Sequence, residues 1–319
     1  MTLGLRSALV TGGAGFIGSH LVEALVTEGC RVTVLDDLSS GRESNLAPVA
    51  GRINFVRGSI CDRGIVEKAA AGCEVVFHLA AVVSVPRTVD DPLGSAAVNE
   101  TGSLNVLEAA RGANARRVVF ASSSAVYGDD PSLPKREQMP PNPLTPYAVQ
   151  KLAVEYYLRV YQSLYGLETV GLRFFNVFGP RQDPSSPYSG VISIFMNRAL
   201  KGESPVIYGD GRHSRDFVFV GDVVQALIAA AKSASAPGQV FNVGTGQSLT
   251  IGGLWGMIAA LSGSEAQPVH HPPRPGDIPH SLSAIDAAAA GLGFVPRVSL
   301  EKGLALTLSW YRRSTLSQA

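Results

Sequence analysis

The chain has 319 residues, of which 45% are hydrophobic and 17% are charged, a balance typical of a globular protein with a sizeable core. Its formal net charge of +1, without a long run of like charges, gives no reason to expect a nucleic-acid or membrane-surface partner. The first residues lack the apolar core of a signal peptide, and no apolar run reaches the ~20 residues that a membrane helix needs. We therefore expect a cytoplasmic protein, and the spacing of its histidines and cysteines predicts no metal site.

Strand and helix patterns alternate through the first half of the chain. Short apolar runs predict buried parallel strands at 5–11, 31–35, 53–56, 74–79, 117–122 and 168–174. Helical patterns begin between these strands, near residues 15, 62, 92 and 146. This order predicts a Rossmann-type α/β fold, a doubly wound parallel sheet with helices on both faces.

The second half is less regular. It predicts helices near 191–201, 222–231, 251–261 and 299–312, a strand at 239–243 that returns to the sheet, and proline- and glycine-rich loops at 131–146, 179–190 and 268–279. We expect two interleaved lobes. Residues 1–176 and 217–243 would form the sheet domain, and residues 177–216 and 244–319 a smaller, mostly C-terminal lobe.

A glycine-rich turn follows the first predicted strand. Gly12, Gly15 and Gly18 stand three residues apart, a spacing that permits a tight exit from the strand, close approach of the backbone to a pyrophosphate, and close packing of the next helix on the sheet. Asp36 ends the second strand about 20 residues on, where a carboxylate binds the adenosine ribose hydroxyls and repels a 2′-phosphate. The turn therefore predicts a bound dinucleotide, NAD rather than NADP.

Two further patterns predict chemistry at this cofactor. Tyr147 and Lys151 have i, i+4 spacing on a predicted helix, so the lysine would lower the phenol pKa and the phenolate could accept a proton from a sugar or alcohol hydroxyl. The serine run at 122–124 follows the fifth strand, where a hydroxyl could share that proton with Tyr147. Either pattern alone occurs often by chance, but their positions after the fifth strand of a predicted dinucleotide-binding fold indicate a catalytic site.

With these motifs the chain resembles an extended short-chain dehydrogenase/reductase, and within that family it is most similar to UDP-hexose 4-epimerases, especially those that act on N-acetylated sugars. Besides Tyr147 and Lys151, the resemblance rests on TGGAGFIG (11–18), VLDDLSSG (34–41), HLAA (78–81), SSSAVYG (122–128), RFFNVFGPRQ (173–182), YGDGRHSRDFVFVGDV (208–223), FNVGTG (241–246) and RPGDIPHS (274–281). It implies that the smaller lobe binds a nucleotide-sugar. It also implies a homodimer that pairs through a helix bundle built from helices near 92–112 and 146–165.

The resemblance also implies roles for individual residues. The catalytic set is Ser123, Tyr147 and Lys151. The residues implied to bind NAD are Gly12, Gly15, Phe16, Ile17, Asp36, Asp37, Ser39, Ser40, Gly41, Ser59, Ile60, Leu79, Ala80, Ala81, Ala121, Tyr147, Lys151, Phe174 and Val177. The residues implied to contact the UDP-sugar are Val83, Ser84, Ser123, Ser124, Asn176, Gly190, Val191, Arg215, Arg274, Asp277 and Ser281. Among these, Arg215 and Arg274 would bind the diphosphate and Asp277 a uridine ribose hydroxyl.

The chain departs from the family pattern at two places. Ser59 precedes Ile60 where the family often has an aspartate for adenine, so the grip on the cofactor could be weaker. Ser283 and Ala284 stand where relatives commonly end the HS-x-A-D stretch with an aspartate, and the sequence gives no account of the consequence.

The reaction follows from one missing acid. Relatives that dehydrate or decarboxylate the sugar carry an acidic residue two positions before the tyrosine of the serine motif, whereas this chain has Ala125. We therefore expect epimerisation at C4, which is redox-neutral and retains NAD. Ser281 leaves room for a 2-acetamido group, and Val83 and Ser84 also look like the N-acetyl type, so UDP-GlcNAc and UDP-GalNAc are favoured, with activity on UDP-Glc and UDP-Gal.

Other functions stay open. The first is a UDP-glucose or UDP-glucuronate 4-epimerase. The second is a non-catalytic sensor of NAD or nucleotide-sugar, against which the intact Ser123, Tyr147 and Lys151 set speaks. The third is a net oxidoreductase, which would accumulate NADH.

Overall fold

The structure, a computed structural model, describes residues 4–183, 190–273 and 278–316. The strands are β1 (Ser7–Thr11), β2 (Arg31–Asp36), β3 (Ile53–Arg57), β4 (Val75–His78), β5 (Arg117–Ser123), β6 (Glu168–Phe174), β7 (Asn176–Phe178), β8 (Val206–Tyr208), β9 (Ser214–Arg215), β10 (Phe217–Phe219), β11 (Val240–Val243), β12 (Leu249–Thr250) and β13 (Val269–His271). The α-helices are α1 (Phe16–Thr27), α2 (Arg63–Ala70), α3 (Val85–Asp90), α4 (Pro92–Ala96), α5 (Ser103–Gly112), α6 (Pro146–Tyr165), α7 (Val191–Lys201), α8 (Val220–Lys232), α9 (Ile251–Ser262), α10 (Asp286–Leu292) and α11 (Leu300–Leu316). Turns of 3-10 helix span Glu43–Arg52 and Ser124–Tyr127, and a π-helical turn, Ala97–Gly102, joins α4 to α5.

The central sheet is parallel throughout and has seven strands in the order β11-β6-β5-β4-β1-β2-β3. The predicted Rossmann-type α/β fold is confirmed, including the return of the strand at 239–243 to the sheet edge. The order reverses between β1 and β4, so a crevice for a ligand is expected outside their carboxyl ends.

Alternate residues of each strand face opposite sides of the sheet and enter two separate cores. Val10 and Val34 pack with α1 and α8 on one face, whereas Leu9 and Val76 pack with α2, α5 and α6 on the other. Strands that are apolar on both faces read as continuous hydrophobic runs, which is why the sequence located them within a few residues.

A third core lies outside the central sheet. It gathers apolar side chains of α7, α9 and α11 around β7, β8 and β10. Phe217 and Phe219 of β10 belong to this core, while Val218 between them belongs to the core with α1 and α8. The boundary between the predicted lobes would therefore run through β10, and the two-lobe division stays a prediction.

The short elements of the second half differ from the prediction. The segment 268–279, predicted as a loop, contains β13, which pairs in parallel with β8. Strands of two or three residues, such as β8, β9 and β12, are too short to show a period of two. In the ranges that the structure describes, no helix has the length and apolar character to cross a membrane.

Candidate active site

The glycine turn is a cradle that only glycine fits. Gly12 has φ +70°, and a Cβ atom there would lie 2.7 Å from the backbone nitrogen of Ala80. A Cβ on Gly18 would collide with the carbonyl oxygen of Gly12. Helix α1 begins directly afterwards, and its N-cap, Gly15, has no side chain to cap the first N–H groups. The turn therefore leads directly into a helix N-terminus that has no side-chain cap, an arrangement suited to a pyrophosphate.

Asp36, at the end of β2, lies against this turn. Its carboxylate accepts hydrogen bonds from the backbone nitrogens of Ala14, at 2.9 Å, and Leu38, at 2.8 Å. Burial raises the pKa of Asp36, and these two hydrogen bonds oppose the shift. A Cβ on Gly41 would lie 2.8 Å from this carboxylate, so the segment after β2 passes close to it. The acid and the glycine turn therefore form one surface.

The other residues predicted to bind NAD follow neighbouring strands. Ser59 follows β3, and its hydroxyl accepts a hydrogen bond from the backbone nitrogen of Cys61 at 3.2 Å. Leu79, Ala80 and Ala81 follow β4. The remaining residues follow β2 or lie on α1, β5, β6 and β7 (Asp37, Ser39, Ser40, Phe16, Ile17, Ala121, Phe174 and Val177), while Ile60 is buried against Gly102.

His78, the buried histidine of the HLAA motif, supports this surface, although the motif alone predicted no role for it. The hydroxyl of Thr11 contacts His78 Nδ1 at 2.7 Å and accepts from Ala80 N at 3.3 Å. His78 Nε2 lies 2.8 Å from the hydroxyl of Ser103, which donates to the Asn99 carbonyl. Because Ser103 donates elsewhere, His78 Nε2 carries the proton, and Thr11 donates to Nδ1. Burial, followed by the charge of Lys151, lowers the pKa of His78 to about 3, so this imidazole is neutral.

The predicted catalytic residues meet where β5 faces α6. Helix α6 begins at Pro146, and the hydroxyl of its N-cap, Thr145, accepts from Ala148 N at 3.3 Å. Tyr147, in the first turn, lies near the side chain of Ser123 at the end of β5, close enough for the serine hydroxyl to affect the pKa of the phenol. One turn later, Lys151 Nζ donates to the Ala121 carbonyl at 2.8 Å.

The pKa values at this cluster correct one prediction. Burial raises the pKa of the Tyr147 phenol, and the nearby Ser123 hydroxyl offsets only part of that rise. The lowered phenol pKa expected from the i, i+4 spacing is therefore wrong for the protein alone, because Lys151 Nζ lies 5.8 Å from the tyrosine ring centroid and donates to a backbone carbonyl instead. Burial also lowers the pKa of Lys151 to about 7.

Asp216 lies at the centre of segments that carry predicted substrate residues, and the sequence alone predicted no role for it. Its carboxylate is fully buried and accepts hydrogen bonds from backbone and hydroxyl groups of Thr245 and Ser283 and from Gly246 N. Its carbonyl accepts from both the backbone and the side-chain nitrogens of Asn176, each at 3.1 Å. A buried carboxylate that joins four segments could have been suspected from its place beside Arg215, but its donors are distant in sequence.

Several predicted substrate residues lie on segments next to Asp216. The Arg215 guanidinium donates to the carbonyls of Ser214, at 2.9 Å, and Pro279, at 3.2 Å. Ser281 N donates to the Ser214 carbonyl at 3.0 Å, so Arg215 and Ser281 lie on adjacent segments. Asn176 reaches the same place through Asp216.

Other predicted substrate residues lie elsewhere in the fold. Gly190 and Val191 begin α7. Ser124 begins the 3-10 turn after β5, and Ser84 caps α3 by accepting from Arg87 N at 3.2 Å, beside the exposed Val83. Arg274 and Asp277 lie outside the described residues.

Ser283 and Ala284 now have a structural account. The Ser283 hydroxyl donates to Asp216 Oδ2 at 2.5 Å. Ala284 is buried, its nitrogen donates to the Lys135 carbonyl at 2.9 Å, and its carbonyl accepts from Asn242 Nδ2 at 3.3 Å. The serine supplies a donor to a buried carboxylate, and a methyl group suits the buried position at 284.

Comparisons with known proteins identify the family of the chain. The sequence profile of the NAD dependent epimerase/dehydratase family matches residues 8–244. The chain belongs to this family. It is 45% identical over 311 residues to a UDP-glucose 4-epimerase of Mycolicibacterium smegmatis, with 96% of this chain and 99% of that protein covered.

Two solved structures are also closely similar. One is a UDP-N-acetylglucosamine 4-epimerase of Methanobrevibacter ruminantium M1 in complex with UDP-N-acetylmuramic acid, with a TM-score of 0.94, 41% identity and coverage of 99% of this chain and 100% of that one. The other is a UDP-glucose 4-epimerase of Thermus thermophilus in complex with NAD, with a TM-score of 0.88, 41% identity and coverage of 96% and 99%. The predicted family, the NAD cofactor and an enzyme of the isomerase class are confirmed.

Proposed function

We propose that the chain is an NAD-dependent UDP-hexose 4-epimerase that interconverts UDP-GlcNAc and UDP-GalNAc and also accepts UDP-Glc and UDP-Gal. The observation that carries this proposal is the meeting of Ser123, Tyr147 and Lys151 at the carboxyl end of β5, in the sheet that holds the glycine turn. Ligands of doubly wound sheets bind at this edge. The 4-epimerase names of the similar proteins support the reaction type.

The residues present fit the cofactor. Gly12 and Gly15 form a cradle that a Cβ would fill, and Asp36 supplies the acid for the adenosine ribose. When bound there, NAD supplies a hydride acceptor beside C4 of the sugar. Asp36 also disfavours a 2′-phosphate at that position.

Tyr147 is the general base and acid of the proposed reaction. In its phenolate form the Tyr147 oxygen would accept the proton of the C4 hydroxyl as C4 is oxidised, and the Ser123 hydroxyl would hydrogen-bond the same sugar oxygen. Lys151, buried one turn away, supports the phenolate with its positive charge. After the 4-keto sugar has turned within the site, Tyr147 would return the proton to the C4 oxygen, and bound NAD would supply the hydride chemistry for the opposite face.

The nucleotide stays anchored while the sugar turns. Arg215, held beside Asp216, would bind the diphosphate, and Arg274 and Asp277 would complete the grip on the diphosphate and the ribose. Binding energy remote from C4 stabilises the complex without fixing the hexose.

Ala125 supports epimerisation over elimination. Its backbone nitrogen donates to the Ser123 hydroxyl at 3.2 Å, so it lies directly beside the reacting groups. A methyl group cannot transfer a proton. The acidic residue that removal of water or carbon dioxide from the sugar would use is therefore absent at position 125.

The choice of sugar rests on Ser281 and is tested by assays on UDP-GlcNAc, UDP-Glc and UDP-glucuronate. Ser281→Tyr is expected to lower kcat/KM for UDP-GlcNAc at least about tenfold and to spare UDP-Glc, because the larger ring fills the space for the acetamido group. Ser264→Tyr, in the turn after α9, is the matched control and should change neither rate.

If the parent protein epimerises UDP-Glc or UDP-glucuronate but leaves UDP-GlcNAc untouched, the N-acetyl preference fails and the alternative 4-epimerase is correct. Accumulation of NADH in proportion to product would instead indicate a net oxidoreductase. No turnover of any UDP-sugar, with binding intact, would indicate a sensor.

A homodimer through α6 is also part of the proposal. Val149, Val160 and Leu164 are exposed and lie on one face of α6, and Leu93 of α4 is 84% exposed nearby in the helical layer that packs on α6. An apolar stripe of this kind on a helix marks an interaction surface.

The dimer is tested with the double substitution Val160→Glu/Leu164→Glu. We expect light scattering to give the mass of one chain for this variant and of two chains for the parent, because two carboxylates would be buried at the contact. Leu306→Glu, at an exposed position of α11, should leave the parent mass unchanged. A parent protein with the mass of one chain would refute the dimer.

A further inference from the structure

A buried carboxylate lies one turn beyond Lys151 on α6. Glu155 is only 4% exposed and accepts three hydrogen bonds, from the Ser122 hydroxyl at 2.5 Å and from Arg173 Nε at 2.9 Å and Nη2 at 2.7 Å. Ser122 and Arg173 are register partners on β5 and β6. Glu155 therefore joins α6 to two neighbouring strands at their carboxyl ends.

This carboxylate completes a regular set of contacts between α6 and β5. Lys151 Nζ donates to the carbonyl of Ala121, the Ser122 hydroxyl donates to Glu155, and Tyr147 lies near Ser123. Every fourth residue of the helix thus lies against one of three consecutive strand residues, and two of the three contacts are hydrogen bonds. Loss of the central contact would free the strand end that carries the reacting hydroxyl.

The structure also shows which titratable groups lie near Lys151. Its titratable neighbours are Tyr147 and Glu155 on α6 and His78 on β4, and Glu155 is itself paired with Arg173 on β6. His78 is neutral because of its lowered pKa. Burial lowers the pKa of Lys151 to about 7, and the carboxylate of Glu155 opposes that shift.

We propose that Glu155 is a positioning residue of the reaction, which holds the end of β5 against α6 through Ser122 and stabilises the protonated form of Lys151 beside Tyr147. The inference rests on the proposed epimerase, since it assigns Lys151 its role there. Glu155 itself lies behind the reacting groups and contacts neither sugar nor cofactor in this scheme. Its loss is therefore expected to change kcat and its pH dependence more than KM.

The test compares Glu155→Gln with Glu168→Gln in the NAD-loaded protein. Glu168 binds the buried Arg117 at 2.7 Å, and these two are register partners at the opposite end of β5 and β6, so the control removes a matched ion pair. Activity that needs protonated Lys151 is kept below its pKa and lost as the pH rises through it. In Glu155→Gln the fall of kcat on the alkaline side of its pH profile, the alkaline limb, should move to lower pH by about one unit. The value of kcat near pH 7 should be reduced about tenfold. Glu168→Gln should lower the melting temperature and leave the limb in place.

Two further variants keep the proposal testable if Glu155→Gln does not fold. Ser122→Ala retains the ion pair and is expected to lower kcat about threefold to tenfold without moving the limb, because it frees the strand end only. Glu155→Asp keeps the charge and should leave the limb within a few tenths of a pH unit of the parent while kcat falls.

An activity-independent measurement separates this inference from the proposed function. An NMR titration of the lysine ε-carbons, with Lys151 assigned by the loss of its signal in Lys151→Arg, reports the pKa of Lys151 whatever the substrate. If the parent protein acts on no UDP-sugar, the proposed function is refuted, but the pKa of Lys151 can still be measured. The positioning role would be overturned if Glu155→Gln kept both the alkaline limb and the Lys151 pKa of the parent protein. It would also be overturned if Ser122→Ala kept the parent kcat.

Discussion

Replacing Tyr147 with phenylalanine is expected to lower kcat for the epimerisation by a factor of about 10² to 10⁴, the usual contribution of a positioned general base. The ring of Tyr147 stays near Lys151 Nζ in this variant, but the oxygen that exchanges the C4 proton is gone. The rate is measured by following conversion of UDP-GlcNAc to UDP-GalNAc with the cofactor content of each preparation matched. KM should change much less than kcat, because the phenol contributes little to binding of the nucleotide.

Tyr165→Phe is the matched control for this loss. Tyr165 ends the same helix and is half-exposed, and its ring contacts Tyr161 and Arg111 rather than the residues of the cluster. Its variant should keep the parent rate. If Tyr147→Phe also retained the parent rate, the proposed proton transfer would be incorrect.

Replacing Gly12 with alanine is expected to weaken NAD binding by about 100-fold, or about 2.7 kcal/mol. The new Cβ would lie 2.7 Å from the backbone nitrogen of Ala80, so the turn and the segment after β4 would have to separate where the pyrophosphate is bound. Calorimetric titration of cofactor-free protein with NAD gives the Kd. The rise in melting temperature on addition of NAD should shrink in parallel.

Gly29→Ala separates this local collision from the general cost of a left-handed alanine. Gly29 has φ +82°, close to the +70° of Gly12, but a Cβ there meets nothing within 4 Å. Both substitutions are expected to destabilise the fold by about 1–2 kcal/mol through backbone strain. Equal NAD affinities for the two variants would contradict the assignment of the turn as the pyrophosphate cradle.

The sequence predicted the central sheet because each strand is long enough and apolar enough to be recognised alone. The strand at 168–174 and the helix at 191–201 have the observed bounds. The same reasoning failed for β8 and β13, because neither three-residue strand has a pattern apart from its pairing partner. Their existence depends on contacts between residues about 60 positions apart.

At the site, several residues could be predicted from the sequence, but their pKa values and hydrogen-bond partners could not. The spacing of Tyr147 and Lys151 correctly suggests one helix face, yet the direction of the phenol pKa depends on burial by the whole fold. Asp216 and Glu155 were missed for the same reason, since their hydrogen-bond donors come from segments distant in sequence. A buried carboxylate is recognised only when its donors are known.

The most direct test of a retained-cofactor 4-epimerase follows the hydrogen on C4. UDP-GlcNAc carrying deuterium at C4 is incubated with the purified NAD-loaded protein, without added cofactor, and the product is analysed by NMR and mass spectrometry. The account predicts UDP-GalNAc with the deuterium still on C4 and no NADH released to solution. Loss of the deuterium to water, its appearance on another carbon, or NADH formed in proportion to product would contradict it.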